Sequence, residues 1–381
     1  MVICPIPFNI HRTKRQYWRV NINCSQTIRQ KFTFQYVVKG RKNDLLRSIV
    51  IPERYQSRLD RMETAIAIQK TKSYFKTGLE KALRLTEVSS PVMVKEGTGI
   101  NDNLNGTERT VSFDVMDMKE GRVEIVQSLA KWKRSALAQY GFKSGEGLYT
   151  DMKAVRRDEN MDNLHSIFVD QWDWEKVICE DMRTLATLEH EVVRIYDVIK
   201  STEEYLYELH PFLKPILPER IFFITTQELE DRFPHLTPKE RENEIVRTHG
   251  AVFIMQIGGT MKSGQVHDGR SPDYDDWTLN GDIVLWYPVL NCAVEISSMG
   301  IRVDAQSLCQ QLLASSRMER LSLDFHQAVV KGELPPTIGG GIGQSRLCMF
   351  LLRKAHIGEV QVSVWNEKTL KECEEGNIPL L

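Results

Sequence analysis

No stretch of this sequence approaches the ~20 consecutive apolar residues that a membrane-spanning helix needs. The longest apolar runs, Ala251–Met255 and Ile283–Tyr287, are the length of strands, so no helical membrane anchor is encoded. Cysteine is sparse and scattered: seven residues, at positions 4, 24, 179, 292, 309, 348 and 373, with no Cys-x-x-Cys. An odd, dispersed set argues against a disulfide framework and against a clustered zinc site. It fits buried or incidental thiols in a reducing compartment. The nine histidines show no ligand spacing. The G-x-x-x-x-G-K-[ST] signature of a P-loop is missing. Acid is nearly missing from one end: residues 1–50 hold ten Lys/Arg and a single acid, Asp44, while the other 331 residues hold 40 basic and 50 acidic side chains. An Arg-rich, acid-poor N-terminus suits an organelle transit peptide, a nucleic-acid arm or upstream sequence misread as coding. Residues 1–48 therefore read as a basic extension outside the catalytic fold, and residues 49–381 as one domain.

Within that domain, length and a 41% hydrophobic content support a sizeable core. Phe75, Leu79 and Leu83 recur at helical spacing, so 61–84 reads as an amphipathic helix. A short strand, 85–88, stops at Ser89-Ser90-Pro91, and the Gly/Asn/Asp-rich 95–108 reads as a loop. Residues 123–127 read as a strand and 129–141 as a helix. Two strands follow, 148–156 and 165–175, joined by a charged loop. On the second, Ile167, Val169, Gln171 and Asp173 share one face by the period of two. Polar groups continuing an apolar face point to a site, because a strand built only to pack would not bury them there. A long helix is expected over 175–209. Thr237-Pro-Lys-Glu240 is a capping box with Pro at the first helical position. Further strands are expected at 251–258, 282–288 and 293–298, then a glycine run, an apolar helix over 344–353 and a closing strand over 360–365. Consecutive strands favour an α+β fold: a mixed, mainly antiparallel sheet flanked by helices rather than a doubly wound parallel one.

Four segments carry plausible chemistry. Gly339-Gly-Gly-Ile-Gly343 with Arg346 either lets backbone approach an anion beside a helix N-terminus or packs helix against sheet. Arg156 and Glu159 lie at a strand end and its loop, where they either grip a nucleotide or face water. Glu295 and Ser298 offer the hard oxygens that magnesium prefers, or form a solvated edge. Pro272-Asp-Tyr-Asp-Asp276 is either a turn or an ammonium-binding group.

Together these segments resemble the three signature regions of class II aminoacyl-tRNA synthetases: the helix and strand ending at Pro91, the strand–loop–strand with Arg156 and Glu159, and the glycine-rich turn into a helix bearing Arg346. The likeness is closer to ammonia-dependent asparagine synthetase (aspartate–ammonia ligase), which shares that fold. Asn101–Gly106, Ser128–Arg134, Gly145–Thr150, Val169–Trp174, Pro272–Trp277, Leu279–Asp282, Ser297–Asp304 and Thr337–Arg346 all read like that family, in the same order, from about residue 50 to the C-terminus. The resemblance implies aspartate, ATP and ammonia as substrates, magnesium as cofactor, β-aspartyl-AMP as intermediate, a homodimer and a cytoplasmic enzyme. Neither a membrane nor a nucleic-acid partner is expected. It further implies that Arg156 meets the α-phosphate and the reacting carboxylate, Glu159 the adenine, and Arg346 the γ-phosphate beside Gly341 and Gly343. Glu295 and Ser298 would hold Mg2+. Lys133 and Arg302 would bind a substrate carboxylate, and Ser128, Gln171, Asp173 and Asp275 the α-amino group and its surroundings. Asp102 is the candidate for capturing ammonium. A tRNA-charging relative would need an anticodon-binding domain, yet only 35 residues follow Arg346. A non-catalytic paralogue would be expected to lose Arg156, Glu159, Glu295 or Arg346. Nothing resembles a glutaminase domain.

Overall fold

Helix α1 (Arg61–Leu83) starts where the sequence places a reciprocal cap: Asp60 accepts from the Glu63 amide and the Glu63 side chain returns to the Asp60 amide. Its buried stripe includes Phe75, Leu79 and Leu83. The computed structural model describes residues 49–381 except 103, 105–107 and 120. The basic extension read over 1–48 lies outside the described residues, as does part of the expected loop over 95–108.

After α1 come β1 (Leu85–Glu87), β2 (Met93–Lys95), β3 (Ser112–Phe113), β4 (Val123–Ile125), α2 (Ala130–Tyr140), β5 (Gly147–Val155) and β6 (Phe168–Val177). Then follow α3 (Leu185–Leu209), β7 (Phe222–Thr225), α4 (Thr226–Arg232), α5 (Pro238–His249), β8 (Ala251–Met255), β9 (Asp275–Tyr287) and β10 (Cys292–Arg302). The chain ends with α6 (Ala305–Ala314), α7 (Asp324–Val330), β11 (Thr337–Gly343), α8 (Gln344–Leu351) and α9 (Glu367–Glu375). Eight strands form one sheet in the order β1-β5-β6-β11-β10-β9-β8-β7, and β2-β4-β3 form a small second one. Only the edge pairs β1/β5 and β7/β8 are parallel within the large sheet; its other pairs are antiparallel. The expected α+β architecture is therefore present.

Strand alternation separates core from site. On β6, Trp172 and Trp174 enter the main core with Phe75 and Leu79 of α1 and Val192 and Ile195 of α3. The alternate residues Gln171 and Asp173 face the opposite way, toward a cavity. Strand β8 is apolar throughout because both its faces are covered. Phe253 joins the main core, and Val252 and Ile254 pack with Ile245 and Val246 of α5.

Several expected boundaries move. Strand β6 runs on to Val177, and α3 begins only at Leu185, where Thr184 caps the Thr187 amide. Ile178 and Met182, assigned to the long helix, lie before it. Strand β9 starts at Asp275 rather than 282; its first half holds few apolar residues, and Asp275 and Asp282 line the cavity, so apolar content hid it. The glycine run is strand β11, not a turn. Residues 360–365 form no strand: Val362 and Val364 are exposed, and no ladder partner is present among the described residues.

Candidate active site

Strands β6, β11, β10 and β9 are neighbours in the sheet, and their polar faces floor a cavity of about 370 Å³. Lining it are Ser128, Lys133, Arg156, Glu159, Gln171, Asp173, Asp275, Glu295, Ser298, Arg302, Gly341, Gly343 and Arg346. Residues scattered from 128 to 346 are thus brought to one place. Asp102 is the exception. It is almost fully buried and sits one layer behind the wall, touching Ser271 and Gln127, which do line the cavity.

The glycines are explained by space rather than by torsion, since Gly343 has φ −64°. Strand β11 lies beside β6, with Gly339 opposite Glu175, Gly341 opposite Asp173 and Gly343 opposite Gln171. A Cβ on Gly339 would lie 2.0 Å from Glu175 Oε2, and one on Gly341 2.5 Å from Gln171 Oε1. The bare strand leaves room for the polar side chains of its neighbour and keeps the floor open.

Those side chains form a buried charge network. Lys133 Nζ donates to Asp173 Oδ1 at 2.8 Å and to the Gly340 carbonyl at 3.0 Å. Burial pushes its ammonium below the ordinary lysine range, against the pull of Asp173 and Glu175. Arg302 grips Glu175 through Nε at 2.9 Å and Nη2 at 2.7 Å, and its Nη1 donates to Asp275. Thr337 adds a hydroxyl to Glu175 at 2.7 Å. Burial resists ionisation of Glu175, yet Arg302 and these donors hold its carboxyl below the usual range. Lys133 and Arg302, read as hooks for a substrate carboxylate, already carry protein counterions. Arg156 differs: its Nε is buried with no partner, as is Asp173 Oδ2. Arg270 Nε, Gln127 Oε1 and Gln361 Oε1 are likewise without hydrogen-bond partners, and orphan donors and acceptors in a single cavity suit a ligand carrying both charges.

At the other end, Arg346 from α8 donates to the Glu295 carbonyl at 3.0 Å. Asp170 accepts the Ser345 amide at 3.0 Å and is paired with Lys72 at 2.8 Å, which fixes the start of α8. Asp282 lies directly across from Ser298. Desolvation pushes the Asp282 carboxyl up to about 7, Arg270 opposing and Glu295 adding. Arg270 donates to Asp282 at 2.7 Å and also to Ser298.

Sequence reasoning missed Arg270, Asp282, Glu175, Gln127 and Ser271. Glu175 was discoverable, since it continues the period-two face of Gln171 and Asp173. Gln127 adjoins Ser128. Arg270 and Ser271 lie in a Gly/Asp/Ser loop with no periodic signal.

A family model described as aspartate-ammonia ligase matches residues 62–377. An aspartate–ammonia ligase of Ruminiclostridium cellulolyticum is 58% identical over 336 residues, covering 88% of this chain and all of that one. One from Clostridium perfringens is 57% identical over the same span and shares. Among solved structures, an Entamoeba histolytica asparaginyl-tRNA synthetase in complex with asparaginyl-adenylate superposes with a TM-score of 0.57 at 16% identity, covering 79% of this chain and 66% of that one. The last likeness is one of fold: the class II synthetase architecture.

Proposed function

This chain belongs to the aspartate–ammonia ligase family, and we propose that it makes L-asparagine from L-aspartate, ATP and ammonia through β-aspartyl-AMP, releasing pyrophosphate and then AMP. The observation that carries the reading is that Arg156 Nε and Asp173 Oδ2, a buried donor and a buried acceptor, each lack a hydrogen-bond partner in one cavity that also holds Arg346. A zwitterionic amino acid and a polyanion need such a combination.

A carboxylate is a poor acyl donor because its oxygen leaves badly; joining it to AMP supplies a good leaving group. The step brings two anions together, so cationic groups must stabilise the charge that develops on phosphorus. Arg156 takes the α-phosphate and the reacting carboxylate, and Arg346 the terminal phosphate. Glu159 faces the adenine. Asp173, Gln171, Asp275 and Ser128 surround the α-amino group. Lys133 and Arg302 act chiefly by holding Asp173, Glu175 and Asp275 in place. Glu295, Ser298 and Asp282 supply two carboxylates and a hydroxyl, a hard-oxygen set that fits Mg2+. Held by these residues, magnesium would neutralise phosphate charge. Asp102 receives the proton of ammonium so that neutral ammonia attacks the acyl carbon.

A homodimer belongs to the same reading. Met62, Ile66 and Tyr74 of α1 are exposed apolar groups that a second copy would cover, and sedimentation analysis gives the mass directly.

Purified protein supplied with aspartate, ATP and magnesium tests the reaction. Asparagine and AMP should rise together with ammonium chloride and not with glutamine. Aspartate-dependent pyrophosphate exchange without asparagine would mean that the adenylate goes to another acceptor.

A further inference from the structure

Asp102 and Gln127 are almost completely buried, and each keeps one oxygen without a partner: Asp102 Oδ2 and Gln127 Oε1. Their other polar atoms are committed. The Gln127 amide nitrogen donates to the Asp102 main-chain carbonyl at 2.9 Å. That contact fixes the amide orientation, because a carbonyl only accepts. Gln127 Oε1 is therefore an acceptor by necessity. Asp102 Oδ1 meets the Ser271 hydroxyl at 3.2 Å, and the same hydroxyl meets Asp273 Oδ1 at 2.8 Å. Ser271 has one proton to share between two carboxylates. Asp273 is the nearer acceptor, and its other oxygen takes Arg320 at 2.9 Å, His326 at 2.9 Å and Lys131 at 3.4 Å. The hydroxyl proton thus points at Asp273 and leaves Asp102 undercompensated.

Buried acceptors without donors are costly. Here the two residues that carry them are joined through the Asp102 main-chain carbonyl, Gln127 lining the cavity beside Ser271 and Asp102 lying one layer behind. Ammonium offers donors in every tetrahedral direction and no acceptor, so it satisfies both oxygens at once. We propose that Asp102 Oδ2 and Gln127 Oε1 form the ammonium subsite, with Gln127 orienting the ion and Asp102 taking its proton. This inference rests on the ammonia-using reaction proposed above and adds Gln127 and Ser271 to it.

The step balances. An N–H bond of ammonium breaks and an O–H bond forms on Asp102. The freed lone pair makes the C–N bond as the acyl C–O bond to AMP breaks. The surplus proton on the new amide leaves with the AMP phosphate. Asp102 is surrounded by Lys131 of α2, Arg320 of the 3-10 turn at 318–322, and Ser271, Asp273 and Tyr274 of the loop entering β9. Burial pushes its carboxyl up to about 6, Lys131 opposing and Asp273 adding. It is mostly ionised at neutral pH and still basic enough to accept a proton.

The test uses the full-length enzyme and two variants, Gln127→Met and Asp102→Asn. Three activities are compared: asparagine from ammonium, aspartyl hydroxamate from hydroxylamine, and aspartate-dependent pyrophosphate exchange. Hydroxylamine is uncharged at neutral pH and needs no deprotonation. Gln127→Met should raise KM for ammonium about tenfold or more, the loss of one hydrogen bond to a charge, with exchange held within about twofold. Asp102→Asn should lower ammonium turnover by about a hundredfold, the scale of a lost general base, while hydroxamate formation persists. An unchanged ammonium KM in Gln127→Met, with Asp102→Asn behaving as stated, would overturn the subsite and leave the reaction standing. Parallel loss of all three activities in both variants would make the pair structural and also overturn it. No asparagine from ammonium in the unaltered enzyme would sink the underlying reading itself.

Discussion

Glu295 and Ser298 face the same cavity although they lie three residues apart on one strand. Strict alternation would send them to opposite faces. A bulge resolves this: Glu295 pairs with Val284 and Ser297 with Ile283, so one extra residue enters β10. Ser298 then falls opposite Asp282, and Arg270 donates to both. Glu295→Ala should raise the magnesium concentration needed for half-maximal pyrophosphate exchange by about tenfold, roughly the loss of one charged ligand contact. A magnesium titration unchanged from that of the unaltered enzyme would remove Glu295 from the metal.

Gly341 should tolerate no side chain. A Cβ there would stand 2.5 Å from Gln171 Oε1 and 3.0 Å from Asp173 Oδ1. Gly341→Ala should displace both and raise KM for aspartate by about tenfold or more, in line with an overpacking penalty of ~1–3 kcal/mol. Steady-state kinetics with aspartate varied at saturating ATP and ammonium checks it.

Arg302 is as much a structural residue as a binding one. Removing it in Arg302→Met leaves Glu175 buried with only Thr337 as a close donor. Breaking a buried pair in this way costs about 3–5 kcal/mol. Urea unfolding should show a lower midpoint together with loss of exchange. If stability held and exchange alone vanished, Arg302 would act on substrate directly.

The ammonia step should carry its own acid limb. Asp102 works only when ionised, and burial pushes its carboxyl up to about 6. The ratio of asparagine formation to pyrophosphate exchange should therefore fall as pH drops through about 6, because exchange does not use Asp102. Rate profiles for the two reactions, run on the same preparation, compare them directly.

Core packing offers a control remote from the site. Leu79 of α1 is fully buried among the aromatic residues of β6 and the apolar face of α3. Leu79→Ala should destabilise by about 2–5 kcal/mol, read as a lower unfolding midpoint, with exchange per folded molecule little changed.

Much of this could be read before any fold was known. The period of 3.6 in Phe75, Leu79 and Leu83 gave α1 nearly to the residue, because an amphipathic helix writes its packing face directly into the chain. The alternation of Gln171 and Asp173 with Trp172 and Trp174 announced a strand with one wet face. The errors share a cause. Asp275–Asp282, where only Trp277 and Leu279 are apolar, and the glycines of β11 are strand with little apolar content, held by their neighbours' ladders rather than by their own propensity. The segment with Val362 and Val364 has the right residues for a strand and no ladder partner among the described residues.

The sequence by itself determined which elements form and which chemical groups are available, since periodicity, caps and residue types are local properties. Only the tertiary structure decided which of those groups are free to act. Lys133 and Arg302 look like ligand hooks in the chain, but folding spends them on Asp173, Glu175 and Asp275. Gln127 looks unremarkable, yet folding leaves its carbonyl oxygen without a donor beside Asp102. Partnership of this kind depends on contacts between residues far apart in the chain, 207 positions in the case of Lys133 and Gly340, and no local pattern encodes it.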